Sequence, residues 1–156
     1  MVYRMNSEIP PVALLKLKLE INTREHFSAL PLKQHPFAVE SGWFTGQCHI
    51  PTYHLNELLG TKLRALFQRK KGRDLFDLWH GLTTGGAVPA VIVATFKKYM
   101  KEEGHSVSQK EFRENLANKI KDPIFLGDTK DLLRPGIEYD HRAAHQLIDQ
   151  RLLSLL

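Results

Sequence analysis

The sequence has little of several features that would restrict its fold, and each shortage excludes a class of protein. A single cysteine, Cys48, excludes an internal disulfide and is typical of a reducing compartment. No apolar run approaches the roughly 20 residues that span a bilayer, so no membrane contact is expected. The N-terminal residues MVYRMNSEIPP lack the apolar stretch of a signal peptide, and the first ten are expected to form a loose leader. These absences together predict a cytoplasmic protein.

The composition is that of an ordinary globular protein. The 156 residues are enough for one domain with a core, and 42% are hydrophobic and 25% charged. We expect a single domain over 1–156, with a β part over 12–53 and a helical part over 54–156. The formal net charge of +5 and the isoelectric point near 9.4 favour partners that carry phosphate.

The first part of the chain has the periodicity of strands. In VALLKLKLEIN (12–22), aliphatic residues occupy positions 15, 17, 19 and 21, and polar residues occupy positions 16, 18, 20 and 22. This alternation predicts a strand with one buried face. The turn-rich segment SALPLKQHP (28–36) contains two prolines that limit regular structure. FAVESGWFTGQCHIPTY (37–53) predicts a strand pair, with Gly42 and Gly46 at turns or bulges.

From Leu55 onwards the apolar spacing becomes helical. The predicted helices run from Leu55 to Arg69, from beyond Gly72 to Gly85, through VPAVIVATFKKYMKEEG to Gly104, through QKEFRENLANKIK, and over 139–156, with a short segment from Pro123 to Leu133. Ser108 and Glu111 have the spacing of a capping box for the fourth of these helices. The sequence therefore predicts an α+β fold, with a small antiparallel or mixed sheet followed by a helical bundle.

Basic residues are concentrated in TKLRALFQRKKGRDLFDLW (61–79). Six of them lie between positions 62 and 73 with no acid among them. Lys62 and Arg69 are seven residues apart, which places them about 20° apart around a helix, so they point in one direction as a phosphate-binding pair requires. Arg64 points elsewhere and is expected to be solvated. The simpler alternative is that Lys62 extends its ammonium from the apolar face to the surface.

Two aspartates, Asp74 and Asp77, follow at the start of the next predicted helix. They could stabilise that helix through its dipole, with Arg73 paired to Asp77 at i, i+4. In the functional alternative, Asp77 orients a lysine or a substrate hydroxyl and Arg73 contacts phosphate. Glu20, on the polar side of the first predicted strand, could bind a metal ion or act as a base, or it could face water.

Two segments in this order, LKLEINTREH (17–26) and ELLGTKLRALFQRKKGRDLFDLW (57–79), resemble the AbiEii/AbiGii toxin family. These proteins have a nucleotidyltransferase fold similar to that of polymerase β, and they are toxin halves of bacterial phage-defence or toxin–antitoxin pairs. The resemblance implies transfer of nucleotides from an NTP with Mg²⁺ to an acceptor, which in some members is tRNA. It also implies a cognate antitoxin as partner.

The resemblance implies roles for residues that match the family motifs. Glu20 matches the third of the metal-binding carboxylates, Lys62 a helical lysine near the nucleotide phosphates, and Asp77 a late catalytic aspartate. The expected nucleotide- and phosphate-binding residues are Lys62, Arg69, Arg73 and Asp74. These residue types suit nucleotidyl transfer, because metal-held carboxylates bridge the phosphate oxygens while cations neutralise the developing charge.

The sequence also departs from the family pattern. No glycine-rich segment and no D-x-D strand precedes Glu20, so the metal site is incomplete. We therefore expect the C-terminal part of such a protein, truncated and inactive alone. Two alternatives remain: a non-enzymatic module that binds RNA or protein through the basic stretch 62–73, and a relic without function. An exposed edge strand would also invite self-association.

Three weaker signals remain. His141 and His145 in DHRAAH have i, i+4 spacing that could ligate a metal ion, but no third ligand accompanies them. Arg24 and His26 follow Glu20 and are candidate phosphate contacts, with plain exposure as the simpler alternative. We expect three aromatic residues to pack in the core instead of stacking on bases: Trp43, Phe44 and Tyr53.

Overall fold

The structure is a computed structural model that describes residues 1–21, 27–130, 132–134 and 136–156. The described residues form strands followed by helices, which confirms the predicted α+β class. The elements are β1 (Val2–Asn6), β2 (Leu14–Lys18), β3 (Lys33–Ser41), β4 (Phe44–Thr52), α1 (Leu55–Gln68), α2 (Gly72–Thr84), α3 (Pro89–Glu102), α4 (Gln109–Lys119), α5 (Pro123–Gly127) and α6 (His141–Arg151), with a 3₁₀ turn at Leu153–Leu155. None of these helices is both long and apolar enough to cross a bilayer.

The strands form two separate antiparallel pairs. β1 pairs with β2, with Tyr3 opposite Leu17 and Met5 opposite Leu15. The expectation of a loose leader is therefore wrong, because the first residues complete a two-stranded sheet. β3 and β4 form a hairpin closed by Gly42 and the next residue. β3 begins at Lys33 and includes Pro36. An edge strand tolerates proline, which lacks the N–H donor of other residues.

The predicted buried face of the first sheet is exposed. Its six residues are all apolar, lie in three cross-strand pairs and are 45–76% exposed: Met1, Tyr3, Met5, Leu15, Leu17 and Leu19. The alternation does define an apolar face, but no other described element covers it. A contiguous exposed apolar face on a two-stranded sheet is typical of an interaction surface.

The buried core lies in the helical part. α1 packs against α2 and α3, and it approaches α3 closely at Gly60, where an added Cβ would lie 2.6 Å from Cγ2 of Thr95. The largest fully buried apolar side chains are Phe96, Phe112, Phe125, Leu63, Leu66, Leu75, Leu78, Ile92, Leu116, Ile148 and Leu152. Burial of these side chains, rather than the sheets, is therefore the main source of apolar stabilisation.

Several helix ends confirm the sequence predictions. Ser108 and Glu111 form the predicted capping box, with the Ser108 side chain accepting from the Glu111 N–H and the Glu111 carboxylate accepting from the Ser108 N–H. Gly104 has a φ of 75° and ends α3, as expected for a left-handed helix stop. Gly72 interrupts the helical pattern and becomes the first residue of α2.

The C-terminal end of α1 is held by a lysine from a distant helix. Lys119 at the end of α4 is 9% exposed, and its Nζ donates to the carbonyl oxygens of Leu66 (2.5 Å) and Phe67 (2.7 Å). Burial lowers the pKa of Lys119 to about 8, although the charge of Asp74 opposes this shift. A cation here satisfies carbonyls that have no intrahelical partner and thereby fixes the end of α1 that precedes α2.

Candidate functional site

Four of the residues predicted from the sequence meet at the junction of α1 and α2. The Lys62 ammonium lies 2.6 Å from Oδ2 of Asp77 and 3.4 Å from Oδ1 of Asp74. Arg69 donates to both oxygens of Asp74, each at 2.7 Å. We call Lys62, Arg69, Asp74 and Asp77 the polar cluster. The predicted common direction of Lys62 and Arg69 is confirmed, because both side chains reach Asp74.

The connection between α1 and α2 accounts for this geometry. Lys62 lies two turns before Arg69, the residue that caps the C-terminus of α1. The chain then reverses and starts α2 at Gly72, so that Asp74 and Asp77 come back alongside the last two turns of α1. The start of α2 also approaches α5 closely and requires glycine there, because an added Cβ at Gly72 would lie 2.0 Å from the carbonyl oxygen of Phe125.

The polar cluster has a buried half and an accessible half. The Asp74 side chain is completely buried, and a buried carboxylate is tolerated only with charged hydrogen-bond partners. Its side-chain hydrogen bond with Arg69 raises the pKa of that guanidinium. The side chains of Lys62 and Asp77 are 35% and 37% exposed, so solvent and ligands reach this pair. The four formal charges sum to zero, so an anion that binds to Lys62 has to displace the Asp77 carboxylate from it.

The N-terminal part of the basic stretch is also neutralised. The prediction that Arg64 is solvated is wrong: its side chain is 13% exposed, lies 2.7 Å from Oε1 of Glu103 and stacks over the ring of Tyr99 at 4.9 Å. These contacts hold the middle of α1 against the end of α3. Arg64 therefore has a structural role in this fold.

The C-terminal part of the basic stretch pairs with acids on or beside α5. Lys70 pairs with Asp122, and Lys71 lies 3.7 Å from Asp128. Arg73 lies 3.8 Å from Asp128, which also accepts from the Arg73 N–H at 3.2 Å. The predicted i, i+4 pair of Arg73 with the aspartate one turn later is therefore wrong. All six basic residues between positions 62 and 73 have a carboxylate partner.

Glu20 pairs with a residue outside the polar cluster. β2 ends at Lys18, so Glu20 follows the strand instead of lying on its polar side. Its side chain is 74% exposed and lies 2.5 Å from the ammonium of Lys18. Within the described part of the chain, Glu20 forms no ion pair with the polar cluster. The candidate contacts Arg24 and His26 lie outside the described residues.

A buried glutamate was missed in the sequence. Glu57 is fully buried and accepts from the N–H groups of Ala29 (2.5 Å) and Leu30 (3.0 Å) and from the Tyr99 hydroxyl (2.7 Å). It thereby fixes the segment that precedes the hairpin on α1 and α3. Its position in the first turn of α1 resembles an ordinary helix-dipole carboxylate, so the sequence carries no signal of this role.

The expectation that the aromatic residues of the hairpin are core residues is wrong for two of them. Trp43 is 93% exposed at the turn, and Phe44 beside it is 57% exposed. Tyr53, at the end of β4, is partly buried. A large exposed aromatic at a hairpin turn gains nothing from apolar burial and is available to another molecule.

Comparison with known proteins identifies the family. The family model described as "Nucleotidyl transferase AbiEii toxin, Type IV TA system" matches residues 1–147. The chain belongs to the AbiEii family. No curated protein and no solved structure matches it. Membership indicates a nucleotidyltransferase-like toxin of a type IV toxin–antitoxin system, hence a nucleotide substrate and an antitoxin partner.

The described residues of this AbiEii chain do not fit the divalent metal that nucleotidyltransferases generally use. A Mg²⁺ site requires several convergent oxygen ligands. In residues 1–21, 27–130, 132–134 and 136–156, no group of three or more His, Cys, Asp or Glu side chains could hold a metal ion. Glu20 is exposed and paired with a lysine, and Asp74 and Asp77 are engaged by Arg69 and Lys62.

Proposed function

We propose that this chain supplies the substrate-contacting part of an AbiEii nucleotidyltransferase toxin that acts in the cytoplasm in defence against phage, with tRNA as acceptor. Lys62 and Asp77 contact the nucleotide, and Asp74, itself held by Arg69, positions Lys62. The observation that carries this proposal is the accessible ion pair of Lys62 and Asp77 above the buried pair of Arg69 and Asp74.

The polar cluster can exchange partners when a nucleotide arrives. Phosphate oxygens compete with the Asp77 carboxylate for the Lys62 ammonium, and both are charged acceptors of similar hydrogen-bond strength. Once Lys62 turns to the phosphate, Asp77 is free to accept a hydrogen bond from a hydroxyl of the nucleotide or acceptor. Asp74 does not take part in the exchange, because it is buried and held in two hydrogen bonds by Arg69.

The chemical step needs groups that the described residues do not provide. Nucleotidyl transfer proceeds on metal-held phosphates, and Glu20 is a single exposed carboxylate. We propose that the remaining metal carboxylates belong to another polypeptide segment, which packs on the exposed apolar face of the β1–β2 sheet. The six apolar side chains on that face, with Tyr3 and Leu17 at its centre, support this part of the proposal.

The transfer reaction provides the test. The chain alone, incubated with Mg²⁺, labelled NTPs and total tRNA, is expected to give no labelled RNA above a heat-denatured control, because the metal-binding carboxylates are incomplete. The measurement is the radioactivity in RNA separated on a denaturing gel. Clear labelling that disappears in the Glu20→Gln variant would overturn the proposal and assign a catalytic role to Glu20.

A second candidate function is binding of RNA through the basic stretch 62–73. The ion pairs disfavour it, because each cation of the stretch already has a carboxylate partner, such as Asp122 for Lys70 or Asp128 for Lys71. We therefore expect RNA binding to be weak, and the slope of log affinity against log salt concentration to be close to zero. A steep slope, about 0.9 per phosphate contacted, that is reduced in Lys62→Gln would favour the second function.

A further inference from the structure

A cavity separate from the polar cluster lies between the C-terminal end of α4, α5 and α6. It has a volume of about 490 Å³. Four of the side chains that line it are basic or imidazole groups: Lys121, His141, Arg142 and His145. Apolar contact comes from Ile120 and Leu126. The remaining described lining residues are Asp140 and Gln146. The volume is that of a small-ligand site.

The two histidines do not make a metal site. His141 is held by the ring of Tyr139, whose centroid lies 4.7 Å away, and by Oγ1 of Thr129 at 3.4 Å. Asp140, the nearest carboxylate in the sequence, accepts from the Arg142 N–H at 2.9 Å and caps α6. No third ligand joins the histidines in the part of the chain that the structure describes. Their i, i+4 spacing therefore places two hydrogen-bond donors on one wall of the cavity.

The cations of this cavity differ from those of the basic stretch. Each of the six basic residues between positions 62 and 73 has a carboxylate within ion-pair distance. Lys121 and Arg142 line the cavity, and neither has such a carboxylate among the described residues. Among the described lining residues, Asp140 supplies one carboxylate, which accepts from the Arg142 N–H as the cap of α6. Two cations facing one carboxylate leave an excess of positive charge, which favours an anionic ligand.

We propose that this cavity binds a phosphoryl group of a nucleotide or of RNA. Lys121 and Arg142 contribute charge, and His141 and His145 contribute directed N–H donors to the phosphate oxygens. Among the described residues that line the cavity, the only aromatic rings are the two imidazoles, so the phosphate is recognised and the base is not clamped between rings. The inference does not depend on the proposed function, because the cavity shares no residue with the polar cluster.

Binding is tested by titrating the ¹⁵N-labelled chain with inorganic phosphate, AMP and a short oligouridylate, and following its amide resonances. The double variant Lys121→Gln/His145→Gln is expected to bind all three probes at least tenfold more weakly. The matched control Lys101→Gln/His105→Gln removes the same two residue types near the C-terminal end of α3 and should bind like the unaltered chain. Circular dichroism checks that both variants are folded.

The probes separate the two sources of phosphate. Tighter binding of the oligouridylate than of AMP assigns the cavity to RNA, and equal binding assigns it to free nucleotides. Absence of shifts at residues 120–146 with every probe would overturn the proposal. Equal loss of affinity in the two double variants would also overturn the proposal, because the loss would then reflect the total charge of the chain and not this cavity.

Discussion

Replacing Gly72 with alanine is expected to lower the free energy of unfolding by about 3 kcal/mol, the upper end for overpacking. An added Cβ would lie 2.0 Å from the Phe125 carbonyl oxygen, and a backbone atom inside a short helix cannot turn away as a side chain can. α5 would therefore move away from α2, with loss of the hydrogen bond from the Arg73 N–H to Asp128. Urea denaturation followed by circular dichroism measures the change.

The neighbouring glycine of α5 provides the control. A Cβ added at Gly127 meets no atom within 4 Å, and its φ is not positive. Gly127→Ala should leave stability unchanged or raise it by up to about 1 kcal/mol, because alanine restricts the unfolded chain. Similar losses in the two variants would show that contact between α2 and α5 at Gly72 is not tight.

Replacing Asp74 with alanine is expected to cost about 3 kcal/mol of unfolding free energy. Removal of one partner from a buried ion pair leaves unpaired charge, which costs roughly 3–5 kcal/mol. The lower end applies because Arg69 is 51% exposed and Lys62 35% exposed, so water can reach the cations that lose their partner. The fully buried carboxylate also leaves a cavity. Thermal and urea unfolding of the variant measure this loss.

Asp149 allows a matched comparison for this variant. Its carboxylate accepts two hydrogen bonds from Arg113, at 2.6 and 3.2 Å, but its side chain is 32% exposed. Asp149→Ala removes a pair of similar geometry at the surface and should cost less than about 1 kcal/mol. If the two variants lose equal stability, burial does not account for the importance of Asp74.

Local signals in the sequence predicted the helical part well. The capping box of Ser108 and Glu111 and the stop at Gly104 depend on interactions a few residues apart. The common direction of Lys62 and Arg69 follows from helix geometry alone. These features are local, so one sequence suffices to predict them.

The ion-pair partners could not be predicted in this way. Glu103 lies 39 residues from Arg64, and Asp128 lies 55 residues from Arg73, so their contacts depend on how the helices pack. β1 was missed because it pairs with β2 across the loop 7–13, so no tight two-residue turn sets their register. The alternation of β2 predicted which face is apolar, but a period of two does not reveal whether anything covers that face.

The central claim is that the accessible Lys62 contacts nucleotide phosphate, and an ATP titration of the ¹⁵N-labelled chain without metal tests it most directly. We expect resonances of α1 and α2 around Lys62 and Asp77 to shift, and Lys62→Gln to weaken that binding at least tenfold, about 1.4 kcal/mol. Lys110→Gln, which removes an exposed lysine paired with Glu114, should leave it unchanged. Unaltered affinity at α1 and α2 in Lys62→Gln would contradict the account.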